Sequence, residues 1–251
     1  MTKIDWSKVN NMSVCPHDTA KNVHAWFLLN AYLQRRLAAR IRFSPQDNFL
    51  QERESVLASE HHLVYANPYS AVIFGRHGFV PVARPVGIFD ETLVVAHSDT
   101  NPAMLPRRPR IASATDKLII HNLGLALLPE LGLDPAGVEF VFAGNHLAAA
   151  KAVVEGKAHL GFVFNETWNG LSKAIRSELK VLTESKEGCA CHCFLVGPSW
   201  ASRADEVRSL LCAMTQDPRG HAILVDLRFE QGFEHVPSGM LAYLANLMHL
   251  E

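Results

Sequence analysis

The chain has 251 residues, 48% of them apolar and 20% charged, a size that exceeds one ordinary hydrophobic core and a composition that excludes disordered and fibrous classes. Its 24 basic and 25 acidic residues leave a formal charge of −1, so no broad positive field exists to hold a nucleic-acid backbone, and no apolar run reaches the roughly 18 residues that span a bilayer. The start, residues 1–10, carries charge and lacks the apolar stretch of a secretory signal, so the chain as written is expected in the cytoplasm, and in the periplasm if a leader has been removed.

In chain order, a strand over 12–15 runs into Pro16-His17-Asp18-Thr19, where Asp18 or Thr19 can cap a helix whose stripe is Val23, Trp26, Leu29, Leu33 and Leu37. A strand over 40–43, a helix over 49–59 and a strand over 63–66 follow, the strand-helix-strand order that parallel sheets need. After Asn67-Pro68 a short helix reaches Gly75, and 79–84 and 92–97 read as strands. The segment 98–110 holds three prolines and three arginines and little periodicity, which predicts a loop crossing between two lobes.

A second series then begins with a strand over 110–114, a helix over 115–131 and a strand over 138–143. Asn145 reads as the N-cap of a helix that ends before Gly156, and a strand over 160–165, a helix over 166–176 and a strand over 179–183 complete the series. Another strand over 192–196 and helices over 202–215, 218–227 and 238–250 form a tail expected to pack on the first lobe. The expectation is an α/β protein of two lobes, 1–97 with 194–251 as the first and 98–193 as the second, and open α/β sheets bind ligands outside the carboxyl ends of their strands, hence a cleft between the lobes.

Several residues at those strand ends can serve a ligand or merely the fold. Ser113 and Thr115 either add donors to a helix N-terminus that attracts an anion or simply cap the helix, and Asp116 beside them would repel an anion. Tyr65, Asn67 and Tyr69 read as an aromatic wall with hydrogen bonds, or as a tight turn with one buried ring. His146 either donates to a ligand or is solvated in a first turn, and Glu166 either binds an amine or complements a helix dipole.

The five cysteines, Cys15, Cys189, Cys191, Cys193 and Cys212, are an odd number with three crowded together, which does not describe a disulfide framework. In an extended strand Cys189, Cys191 and Cys193 share one face and His192 the other, so the three thiols either bind iron or zinc or act as small buried hydrophobes. Cys15 and His17 suggest a nucleophile and its base, but no third group that orients them is identifiable from sequence.

Four stretches resemble the phosphate, phosphite and phosphonate substrate-binding family of ABC transporters, a branch of the type 2 periplasmic-binding fold. They are Tyr65-Ala-Asn67-Pro68-Tyr69, Ala112-Ser113-Ala114-Thr115, Ala143-Gly144-Asn145-His146-Leu147-Ala148-Ala149, and the run from Val154 through Gly156 to Gly161. The resemblance, over about 12–198, implies a two-lobed binder that closes on a small anion of the phosphonate or phosphate type, with Tyr65, Asn67, Tyr69, Ser113, Thr115, Asn145, His146 and Glu166 as the ligand set. It implies no cofactor and no chemistry, and an ABC permease or a receptor as partner. The cysteine-rich stretch also looks like that of the cytosolic pyrimidine-phosphate synthases of thiamin biosynthesis, iron-using enzymes of the same fold that consume an active-site histidine. Here Asn67-Pro68 stands where those enzymes have the histidine.

Overall fold

A computed structural model describes residues 5–250, so part of the start on which the leader was judged, 1–4, lies outside the described residues. In chain order the elements are β1 (Asp5–Val14), α1 (Pro16–Arg36), β2 (Ala39–Phe43), α2 (Phe49–Ala58), β3 (Leu63–Ala66), α3 (Pro68–Arg76) and β4 (Val80–Pro85). Then come β5 (Thr92–His97), β6 (Arg110–Ser113), α4 (Ile119–Leu127), β7 (Glu139–Phe142), α5 (His146–Val154), β8 (Leu160–Phe164), α6 (Asn165–Gly170), α7 (Lys173–Ser177) and β9 (Leu179–Glu184). The last are β10 (Cys193–Val196), α8 (Ala204–Cys212), α9 (Pro218–Leu227), β11 (Phe233–His235) and α10 (Met240–Leu247). No helix among the described residues is long and apolar enough to cross a membrane.

The chain divides into two compact units, one running to Ile88 and resuming over Cys191–Ala245, the other comprising Phe89–Ala190 with the residues from Asn246 onward. The first holds a six-stranded sheet in the order β11-β4-β10-β3-β1-β2. Its β1 pairs parallel with β2 and β3, and β10 runs antiparallel between β3 and β4. The second holds a five-stranded sheet in the order β7-β6-β8-β5-β9, with β6 parallel to β7 and β8 and β5 antiparallel to β8 and β9. Each unit thus has the parallel crossovers expected from the alternating helices and strands, plus antiparallel strands.

This topology corrects one boundary. Residues 92–97, expected in the first lobe, pair on both sides within the second sheet as β5, because the chain leaves the first unit near Gly87, whose φ of 68° makes the turn, and not in the proline-rich 98–110.

Both cores follow from the apolar stripes. In the first unit Trp26 of α1 lies 4.8 Å from the Tyr65 ring and 6.2 Å from Phe194, over the sheet. In the second, Phe162 of β8 lies against α4 at Gly124, where an added Cβ would stand 2.4 Å from the Phe162 ring, so only glycine permits the approach. The predicted 166–176 helix is two short ones, since the chain extends at Leu171 and Ser172, whose Oγ accepts from the Ile175 N–H to begin α7.

Candidate functional site

In the first unit the strand-end residues form a buried polar chain. Asn67 ends β3 and caps α3, its Oδ1 accepting from the Ser70 N–H at 3.0 Å, with Pro68 at the first helical position. Its Nδ2 donates to Ser70 Oγ at 3.2 Å and to Cys15 Sγ at 3.8 Å. Ser70 Oγ also accepts from Arg53 Nε at 3.0 Å and donates to Glu52 Oε2 at 3.4 Å. Glu52 is fully buried, and burial pushes its carboxyl up to about 8 against the opposing pull of the Arg53 and His192 charges and the Ser70 bond. Burial likewise raises the Cys15 thiol, with His192 acting in the other direction.

The start of α1 is the next part. Cys15 is its N-cap and Asp18 lies in its first turn, where Lys21 Nζ donates to Asp18 Oδ1 at 3.1 Å. Asp18 Oδ2 stands 3.3 Å from Nε2 of His192, which precedes β10. Cys15, Asp18 and His192 each offer a ligand atom, all within 4.8 Å of one another, the group among the described residues with that property. Sequence reasoning paired Cys15 with His17 and found no third member; the actual neighbours come from three and 177 positions on, the latter carried in by β10 pairing with β3. No local pattern announces such a long-range approach.

The first-unit predictions fare differently. Tyr65 is 1% exposed, packed against Trp26, Phe194 and Phe229, and its ring stacks on His192 at 5.7 Å, which matches the alternative of one buried ring. Tyr69 is half-buried with the Arg53 guanidinium 4.6 Å over its ring. Cys189, Cys191 and Cys193 do not share a strand face, because β10 begins only at Cys193. Cys191 Sγ lies 3.6 Å from Met240 Sδ, Cys193 is buried in register with Ala66, and Cys189 is half-buried, so the stretch is largely core, and the alternative of iron or zinc on these three thiols finds no three-thiol cradle among the described residues.

In the second unit the predicted residues cluster at two helix starts. Ser113 ends β6, 1% exposed, its Oγ donating to the Thr115 carbonyl at 3.4 Å and meeting His121 Nδ1 at 3.2 Å. Ser113 and Thr115 do not open the helix as expected. The Thr115 hydroxyl donates to Asp116 Oδ1 and accepts from the Lys117 N–H, both at 3.2 Å, a local turn that delays α4 until Ile119. The N-cap of α4 is Leu118, which has no side chain to accept a hydrogen bond. His121, not anticipated, is held among Phe140, Phe142 and Phe162, and burial lowers its pKa with Asp116 opposing.

The α5 start matches its expected form. Asn145 Oδ1 accepts from the Ala148 N–H at 2.8 Å, and His146 is buried beside the Phe164 ring at 5.6 Å, not solvated. Glu166 sits half-buried in the first turn of α6, its N–H donating to Asn165 Oδ1 at 3.0 Å.

The model of the ABC transporter phosphonate periplasmic substrate-binding protein family matches residues 12–238. Among solved structures, the chain is similar to XAC2383 from Xanthomonas citri with chloride bound, at 14% identity over 96% of each chain and a TM-score of 0.77. It is also similar to PhnD1 from Prochlorococcus marinus in complex with methylphosphonate, at 15% identity, 97% of this chain, 99% of that one and a TM-score of 0.76. The periplasmic aliphatic sulphonate binding protein SsuA from Escherichia coli follows at 13% identity, 96% and 86% coverage and a TM-score of 0.67. No curated protein matches by sequence.

Proposed function

The chain belongs to the family of phosphonate periplasmic substrate-binding proteins of ABC transporters, which bind a solute for a permease and do no chemistry on it, and from that premise we propose that its own ligand is a small tetrahedral anion, a phosphonate or phosphate. The supporting observation is the pair of helix starts in the second unit. At α4 the N-cap is the apolar Leu118, so no side chain takes the place of a ligand oxygen, and the first-turn N–H groups carry the partial positive charge of the helix end. At α5 the buried His146 stands one residue from the Asn145 cap.

Ser113 adds a hydroxyl that already bonds His121, and Thr115 another that turns to the anion by giving up its bond to Asp116. Tyr65, Asn67 and Tyr69 from the first unit, with Glu166 as the group for an amine-bearing phosphonate, complete the set inherited from the resemblance. Closure of the two units on the ligand is the binding mode proposed with it, driven by contacts that differ between the open and closed states. The family is periplasmic; for this chain the compartment is proposed to be the same, with an ABC permease as the receiver of the ligand. A sensory role toward a receptor is the variant reading.

Isothermal calorimetry of the purified chain against methylphosphonate, phosphate, phosphite, aminoethylphosphonate and sulfate tests the reading. Saturable binding of at least one phosphorus oxyanion with no product formed is the expected result. Failure of all five to bind ends it.

A further inference from the structure

The start of α1 holds a second polar cluster that the anion reading does not use. Its three side chains differ in donor type: a thiol from Cys15, a carboxylate from Asp18 and an imidazole from His192. Cys15 and Asp18 occupy the N-cap and the first turn of the same helix, and His192 arrives on the segment that leads into β10. All three belong to the first unit.

We propose that Cys15, Asp18 and His192 bind one divalent transition-metal ion of the zinc type. The 3.3 Å between His192 Nε2 and Asp18 Oδ2 is already a ligand–ligand separation for such an ion, and the limit of 4.8 Å on all three lets small side-chain shifts bring the set together. Bonds of about 2.3 Å to sulfur and about 2.0–2.2 Å to nitrogen and oxygen, in a tetrahedron, put ligand atoms about 3.3–3.8 Å apart. A mixed sulfur, nitrogen and oxygen set favours zinc-like ions over calcium or magnesium, which take oxygen donors.

The surroundings hold these groups in place. Asn67 Nδ2 donates to the Cys15 sulfur, the Tyr65 ring stacks on the His192 imidazole, and Lys21 fixes the far oxygen of Asp18. Behind them lies Glu52, 0% exposed, whose Oε2 accepts from Ser70 Oγ and is thereby linked through Asn67 to the Cys15 sulfur, while its Oε1 has no hydrogen-bond partner among the described residues. The His192 side chain is 11% exposed and that of Asp18 7%, which leaves an entry edge for the ion. A nucleophilic role for the same three residues is disfavoured, because Cys15 is 0% exposed and its sulfur is not presented to a substrate-sized molecule, which needs far more room than a single ion.

This inference stands apart from the anion reading and survives its failure. The whole chain, purified without a histidine tag and stripped with a chelator, is titrated with Zn²⁺ and with Co²⁺. One equivalent is taken up, and Co²⁺ gives the intense visible bands of a tetrahedral site with thiolate-to-cobalt absorption in the near ultraviolet. Cys15→Ser removes the thiolate absorption, and His192→Asn and Asp18→Asn each weaken affinity by at least about 100-fold, while Glu52→Gln weakens it by about 10- to 100-fold. Cys191→Ser leaves the spectrum unchanged. If Cys15→Ser does not fold, the cobalt spectrum of His192→Asn decides. Absence of stoichiometric uptake by the unaltered chain, retention of affinity in His192→Asn, or loss of the thiolate absorption in Cys191→Ser in place of Cys15→Ser overturns the proposal.

Discussion

Ser113 shows how a single residue changes meaning once its neighbours are known. Read in sequence it is a helix-start hydroxyl; in the fold it is nearly inaccessible and joined to His121, a residue eight positions on that had no signal beyond its type. If the proposed anion is held at this end of α4, Ser113→Ala lowers affinity about 10-fold or more, the worth of one hydrogen bond to a charged group, measured by calorimetry with the best ligand of the panel. His121 gives the pH dependence. Burial lowers its pKa below the unfolded 6.5, and the groups facing it are Ser113, Asp116 and the rings of Phe140, Phe142 and Phe162. The unfolded chain therefore binds more protons than the folded one once pH falls below about 6.5, so the stability that neutral His121 contributes is complete above that value and lost on acidification. Urea unfolding at pH 7.5 and 5.5 is expected to show a lower midpoint at the acid value, and His121→Gln is expected to narrow the difference.

Elements were legible where a single period or cap governs them, and misread where a local turn competes. The α5 helix was visible because Asn145 satisfies its first N–H groups from within the segment, and Asn145→Ala is expected to lose about 1 kcal/mol of stability in chemical denaturation. The α4 start was misplaced by four residues because Thr115, a good cap in isolation, bonds Asp116 and Lys117 instead. The contact between α4 and β8 explains why Gly124 sits inside a helix despite its low propensity: Phe162 occupies the space a methyl group would need. Gly124→Ala is expected to destabilise by about 1–3 kcal/mol through overpacking, against the gain in helix propensity, and a urea midpoint above that of the unaltered chain would refute this account.

For the whole molecule, alternating helix and strand patterns and four short motifs led to the family and the fold that the comparisons bear out, together with a binding role without chemistry. A ligand that binds only the folded chain at about 100 times its Kd adds about 2.7 kcal/mol, so the melting temperature rises with ligand concentration, and small-angle scattering is expected to record a smaller radius of gyration if closure accompanies binding. What the sequence determined is the local and periodic part: which segments are helices and strands, that crossovers are parallel, and that the net charge is unsuited to nucleic acid. Only the tertiary structure decided the rest. It carried β5 into the second sheet, packed the Tyr65 ring among Trp26, Phe194 and Phe229, dispersed the cysteine stretch, and set His192 beside Cys15 and Asp18. The reason is that capping and periodicity act over a few residues, whereas strand pairing joins positions far apart in the chain, and no spacing along a single sequence encodes which distant strand will be the neighbour.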